Sequence, residues 1–143
     1  MLCAEALDTT LGTAGPLAVS QTTPEYSLMT IEVLSGPTTR ARLSAIAAGQ
    51  FGDMVKAVID VERGVMAIGG ELHSDEEAAL IDDGSAQEHL WGVNLYPAEP
   101  DDAWIEFDSM INVRPSQGNR SRTVEDRVLR DRIRQIVTGL VEG

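Results

Sequence analysis

The sequence predicts an α+β domain of two layers, with an antiparallel sheet of about four to five strands and helices packed on one face. Three observations lead there. Short alternating stretches, two of which are separated only by a tight turn, recur along the chain. Three stretches with helical periodicity stand between and after them. The resulting order, β-α-β-β-α-β-β-α, joins sequential strands too closely for crossover connections, which favours antiparallel pairing.

The elements follow in order. Residues 1–28 are rich in Thr, Ala, Gly and Ser without periodicity, and are expected to form a flexible extension. Residues 29–143 are expected to form the globular domain, opening with the short strand TIEVL. In SGPTTRARLSAIAAGQFG, Thr38 or Thr39 can cap a helix with Leu43, Ile46 and Ala47 on one face, and Gly49 and Gly52 end it. MVKAVIDVERGVMAIGG reads as a hairpin turning at Arg63-Gly64, with Val55, Ala57, Ile59 and Val61 opposed to Lys56, Asp60 and Glu62. SDEEAALIDDGS is a short helix, and Ser74 and Glu77 have the spacing of a capping box. HLWGVNLYP is a strand with Trp91, Val93 and Leu95 on one face and Asn94 on the other. WIEFDSMINVR is predicted to be the longest strand. TVEDRVLRDRIRQIVTGLVEG is the clearest helix, capped by Thr123, with an apolar stripe from Val124 to Leu140.

Composition restricts the function classes. The 143-residue chain carries a net charge of −12, which repels nucleic acid and anionic membrane. The charge is uneven. Residues 111–143 hold seven arginines against Glu125, Asp126, Asp131 and Glu142, a net of +3, so the remainder carries −15. A nucleic-acid face on the last helix is opposed by Asp126 and Asp131. Cys3 is the only cysteine, so neither an intrachain disulfide nor a cysteine zinc site can form. No run approaches the roughly 20 apolar residues of a membrane helix. The N-terminus lacks the basic region of a signal peptide, and a cytoplasmic location is expected.

Strand alternation sets out the candidate chemistry. In WIEFDSMINVR, Ile105, Phe107, Ile111 and Val113 would face the helices. Glu106, Asp108, Asn112 and Arg114, along with Trp104 and Met110, would share the other face with Lys56, Asp60 and Glu62, while Asn94 stands in a set of its own. Glu106, Asp108 and His73 are the candidate catalytic groups. Glu71, His73 and Asp108 are candidate ligands for a divalent ion such as Mg²⁺ or Mn²⁺. A second candidate is the polar run NVRPSQGNRSR, residues 112–122, which leads into the last helix. Arg114, Gln117, Asn119 and Arg120, with Arg122 beside them, could hold an anion against unpaired helix N–H groups. The same residues also suit a turn bonded to its own backbone. Ser109, Ser116 and Ser121 are all conceivable nucleophiles, and none stands out.

The segments QFGDMVKAVIDVERGVMAIGGELHSDEE, LWGVNLYP and WIEFDSMINVRPSQGNRSR resemble a family of small prokaryotic proteins known as a domain of unknown function, family 5674. The resemblance spans roughly Thr30 to Leu140 and implies a single folded domain, with no activity or cofactor to carry over. Two functional readings follow from the residues. One is a polar cleft that binds an anionic or phosphate-containing small ligand, with metal-assisted hydrolysis or transfer as its chemistry. The other is a non-catalytic module whose acidic surface meets a protein partner.

Overall fold

The computed structural model describes residues 30–143. The flexible extension expected at 1–28 lies outside these residues. The elements are β1 (Glu32–Leu34), β2 (Thr38–Thr39), α1 (Arg40–Ala48), β3 (Val55–Asp60), β4 (Val65–Ile68), α2 (His73–Asp82), β5 (Leu90–Leu95), β6 (Ile105–Glu106), α3 (Arg127–Leu140) and β7 (Val141–Glu142). Five of the strands form one antiparallel sheet in the order β1-β4-β3-β5-β6. The fold is α+β, as the sequence predicts.

Register divides the side chains between two faces. Val55, Ala57 and Ile59 of β3 pair with Leu95, Val93 and Trp91 of β5, and Met66 and Ile68 of β4 lie on the same side. They pack against Leu43 and Ala47 of α1 and Ile133, Ile136, Val137 and Leu140 of α3. Each of these side chains is at most 8% exposed. Burying one such aliphatic or aromatic side chain contributes roughly 1.5–3 kcal/mol, so this layer is the main core.

The opposite face is not simply wet. The expectation of helices on one face holds for α1 and α3, whereas α2 covers the other. Val58, Val65, Ala67 and Leu90 form a second, smaller core with Leu80 of α2. The alternation of β3 is therefore incomplete at Val58, which is fully buried. Asp60 shares that second face, but its carboxylate closes the hairpin. Oδ1 accepts from Glu62 N and Arg63 N, both at 2.9 Å, and Oδ2 accepts from Ser85 Oγ at 2.5 Å.

Three sequence expectations are corrected. WIEFDSMINVR is not a long strand. Only Ile105–Glu106 pair with β5, and a 3-10 turn runs from Met110 to Asn112. Asp and Asn are poor strand formers, and here the Asn112 side chain bonds backbone while Asp108 pairs with the Arg122 side chain. Helix α2 begins at His73 with Leu72 as N-cap and no side-chain cap, so Ser74 and Glu77 form no capping box. Helix α3 begins at Arg127, capped by Asp126 rather than Thr123. It stops at Leu140, because Val141–Glu142 pair in parallel with Thr38–Thr39.

Candidate functional site

The polar loop between β6 and α3 owes its shape to a strand that ends early. Beyond Asn94, the edge of β5 has no strand beside it. Asn112 supplies the missing partner. Its Oδ1 accepts from Gly92 N at 2.9 Å, and its Nδ2 donates to Gly92 O at 3.0 Å. The same Nδ2 donates to Arg122 O at 2.9 Å. One fully buried side chain thus imitates one residue of a β-ladder.

Arg114 extends the repair one step further. Its guanidinium donates to Ile111 O at 2.9 Å, to Gln87 O at 3.2 Å and to Leu90 O. It also lies 3.6 Å from the Glu77 carboxylate and 4.6 Å from the Trp91 ring centroid. Burial lowers its pKa, and Glu77 opposes that shift. Asn119 is equally committed. Its Nδ2 faces the carbonyls of Asn112, Ser121 and Thr123 at 2.7–3.1 Å, and its Oδ1 accepts from Glu125 N at 2.8 Å. Gln117 donates to Glu88 O at 3.1 Å. Gly118 has φ 81°, the left-handed conformation that closes the small Arg114–Asn119 hairpin, and this is the demand that selects glycine there.

The loop does hold an anion, and the anion is its own. Glu125 Oε2 accepts from Arg120 N, Ser121 N and Ser121 Oγ at 2.7–3.1 Å. These bonds hold its carboxyl below the usual carboxylate range. Asp126 takes the first free N–H groups of α3 at Val128 and Leu129. Of the four candidate anion-binding residues here, Arg114, Gln117 and Asn119 secure backbone, and the exposed Arg120 side chain bonds no described residue.

The second face of the sheet brings another set together. Lys56, Asn94 and Glu106 are direct register neighbours on β3, β5 and β6. Asn94 therefore joins this row instead of standing apart. Its Nδ2 donates to Glu106 Oε1 at 2.8 Å and to Asp108 O at 3.3 Å, while its Oδ1 is buried without a partner. Glu106 Oε1 also accepts from Tyr96 OH at 3.2 Å. Asp108 Oδ1 accepts from Arg122 Nε at 2.7 Å.

Beside this row lies a cavity of about 180 Å³, lined by Lys56, Leu72, His73, Ser74, Ser109, Met110, Ile111 and Arg122. Gly92 makes room for two of the side chains that line it. A Cβ there would come within 2.7 Å of the Ser109 side chain and 3.2 Å of His73 Cδ2. His73 is 7% exposed, and its Nε2 lies 2.8 Å from Val93 O. Desolvation lowers its pKa to about 4, so the ring is neutral at pH 7 and Nε2 carries the donated proton. Nδ1 bonds no described residue. Ser109 Oγ accepts from Ile111 N at 3.2 Å, and its proton meets no acceptor among the described residues. Lys56 makes no ion pair among them; its ammonium sits 5.3 Å from the Phe51 ring centroid. The uncapped start of α2 adds the free N–H groups of His73 and Ser74.

The candidate catalytic residues meet only in part. His73 lines the cavity, Asp108 reaches it through Arg122, and Glu106 lies on the neighbouring Lys56–Asn94 row. Glu71 is exposed in the turn before α2. Among the described residues no three His, Cys, Asp or Glu side chains group to hold a metal ion, so Glu71, His73 and Asp108 do not form one centre. Sequence reasoning passed over Lys56 as a site residue. Its signal was present: it is the single lysine beside ten arginines. Among the described residues no helix is long and apolar enough to cross a membrane.

No curated protein and no solved structure matches the chain. Residues 32–140 match the family model described as Protein of unknown function (DUF5674), and the chain belongs to that family.

Proposed function

We propose that the protein is a binding domain for a small anionic ligand, held in the cavity between the start of α2 and the second face of the sheet. One observation carries this reading. In a chain of net charge −12, the single lysine makes no ion pair among the described residues and lines a cavity beside an uncapped helix N-terminus. Two further features of that cavity have donors to spare: Ser109 offers a proton and the helix start two N–H groups.

Binding is favoured over catalysis by the state of His73. A general base works best with a pKa near the working pH, and this ring protonates only near pH 4. Burial keeps the ring neutral, with its proton on Nε2 held by Val93 O, so it does not take a proton from a ligand at pH 7. Arg114, Gln117 and Asn119 support this site from behind by fixing the loop that carries Ser109 and Arg122. We place the protein in the cytoplasm.

The test is a titration of the full chain at pH 7 with acetate and with phosphate, followed by amide chemical shifts. Saturable shifts at His73, Ser74 and Ser109 are expected. They should weaken at least tenfold in Lys56→Gln while the melting temperature of the free protein changes little. Equal binding by the variant, or shifts confined to the Arg120–Glu125 turn, would show that the cavity is not the site.

A further inference from the structure

From the same cavity we infer the class of ligand: an organic monoanion, a carboxylate with a short apolar body, in preference to phosphate. The inference rests on the cavity being an anion site and adds what the site selects.

Charge balance comes first. Arg122 is paired with Asp108 at 2.7 Å, and Glu106 lies on the same row as Lys56 with only amide and phenol donors. With Lys56 and Glu106 opposed, the four side chains are formally neutral, so no net charge stands behind the site. A ligand meets the Lys56 ammonium locally, together with the partial positive charge of the α2 start, about half an elementary charge before Asp75 in its first turn offsets part of it. That suits one negative charge and offers a dianion little more.

The walls come second. Leu72 and Met110 are 56% and 66% exposed at the rim, and Ile111 lies beside them. Large apolar side chains this exposed, lining the same cavity, would cover the apolar part of a bound molecule. Met110 and Ile111 also line a neighbouring cavity of about 320 Å³, which includes Val113. Its other walls are the polar side chains of Glu77, Gln87, Arg114, Ser116 and Gln117, so the apolar strip ends at Met110, Ile111 and Val113 and covers only a short chain. The smaller cavity, about 180 Å³, accepts a headgroup and a few carbons rather than a nucleotide. In this arrangement the carboxylate meets Lys56, the Ser109 hydroxyl and the α2 N–H groups, and the alkyl or aryl body lies between Leu72 and Met110.

The experiment is calorimetric titration of the full chain at pH 7 with acetate, propionate, butyrate, hexanoate and inorganic phosphate. Affinity should rise about threefold to fourfold per methylene up to butyrate, the gain from burying one CH₂. Phosphate should bind no more tightly than acetate. In the double variant Leu72→Ala, Met110→Ala, which puts no capping hydroxyl at the start of α2, the chain-length dependence should flatten. Both positions are exposed, so the fold tolerates the change. Binding of all anions without chain-length dependence, or tightest binding of phosphate, would overturn the carboxylate inference and leave the anion site standing. Failure of every anion, hexanoate included, would overturn the anion site and this inference together.

Discussion

Asn112→Ala is the sharpest test of how the site is built. The wild-type side chain is fully buried and satisfies Gly92 N, Gly92 O and Arg122 O. Alanine strands all three. The Gly92 groups lie under α2 and the Ser109 turn, and a buried polar group without a partner costs about 1–3 kcal/mol. The carbonyl of Arg122 can turn to water, so it adds little. The expected loss is about 3–5 kcal/mol, a large share of the stability of a domain this size. Urea denaturation measures it directly, and the midpoint should fall with an unchanged slope. Thermal unfolding should move down by more than about 10 °C. Asn112→Asp sharpens the logic. It keeps the acceptor for Gly92 N but turns a second negative oxygen toward two carbonyls. Its cost should match or exceed that of alanine at pH 7 and shrink on acidification, because a protonated carboxyl regains a donor. A cost below about 1 kcal/mol for Asn112→Ala would refute the idea that one amide replaces a strand.

Four further outcomes are expected. Arg114→Ala should destabilise by about 2–4 kcal/mol, since three carbonyls and a part-buried Glu77 lose their partner, whereas Arg120→Ala should stay within about 0.5 kcal/mol; urea midpoints compare the two. His73 has a folded pKa lowered to about 4 from 6.5, so its contribution is complete above pH 6.5 and is lost as pH falls toward 4. That loss is about 3 kcal/mol across the window, and His73→Gln should remove this part of the stability–pH slope. Glu76 behaves in the opposite sense: burial raises its carboxyl well above 4.5, so its contribution is present below that pH and fades as pH rises. Glu76→Gln should therefore stabilise more at pH 8 than at pH 5, which denaturation at the two pH values would show. Gly92→Ala should cost about 1–3 kcal/mol and abolish anion binding, because its Cβ displaces Ser109 and crowds His73; unchanged titration shifts would count against the cavity.

The parts of the fold that were legible are those where one periodicity acts alone. Trp91, Val93 and Leu95 alternate because β5 has a core on that side, and the stripe of α3 is apolar because it lies across the same core. Thr39 and Gly49 bound α1 as their chemistry predicts. Misreading began where side chains compete with the backbone. WIEFDSMINVR alternates well enough to pass for a strand, yet Ser109, Asn112 and Asn119 each bond main-chain groups that a strand would have paired. No periodicity reports such a bond, because its partner lies anywhere from two to twenty residues away. The pairing of Thr38–Thr39 with Val141–Glu142 was hidden for the same reason: it joins the two ends of the described fold.

That distinction also explains why the arginine-rich run was misleading as a ligand site and Lys56 was overlooked. Hydrogen-bonding capacity in a sequence is a gross quantity, and function depends on what remains after folding has used its share. Residues 112–122 hold the densest polar cluster in the chain, and the broken edge of β5 and the start of α3 consume nearly all of it. Arg114 closes on three carbonyls, Asn119 on three more, and Glu125 fills the one anion nest the loop makes. The second face has fewer polar groups, but α2 starts without a cap and Lys56 without a counterion. His73 meets a carbonyl with only one of its two nitrogens. Such unspent groups are costly inside a protein unless water or a ligand meets them. A site is therefore sought where the bonding is incomplete, and here that place is the cavity over Gly92.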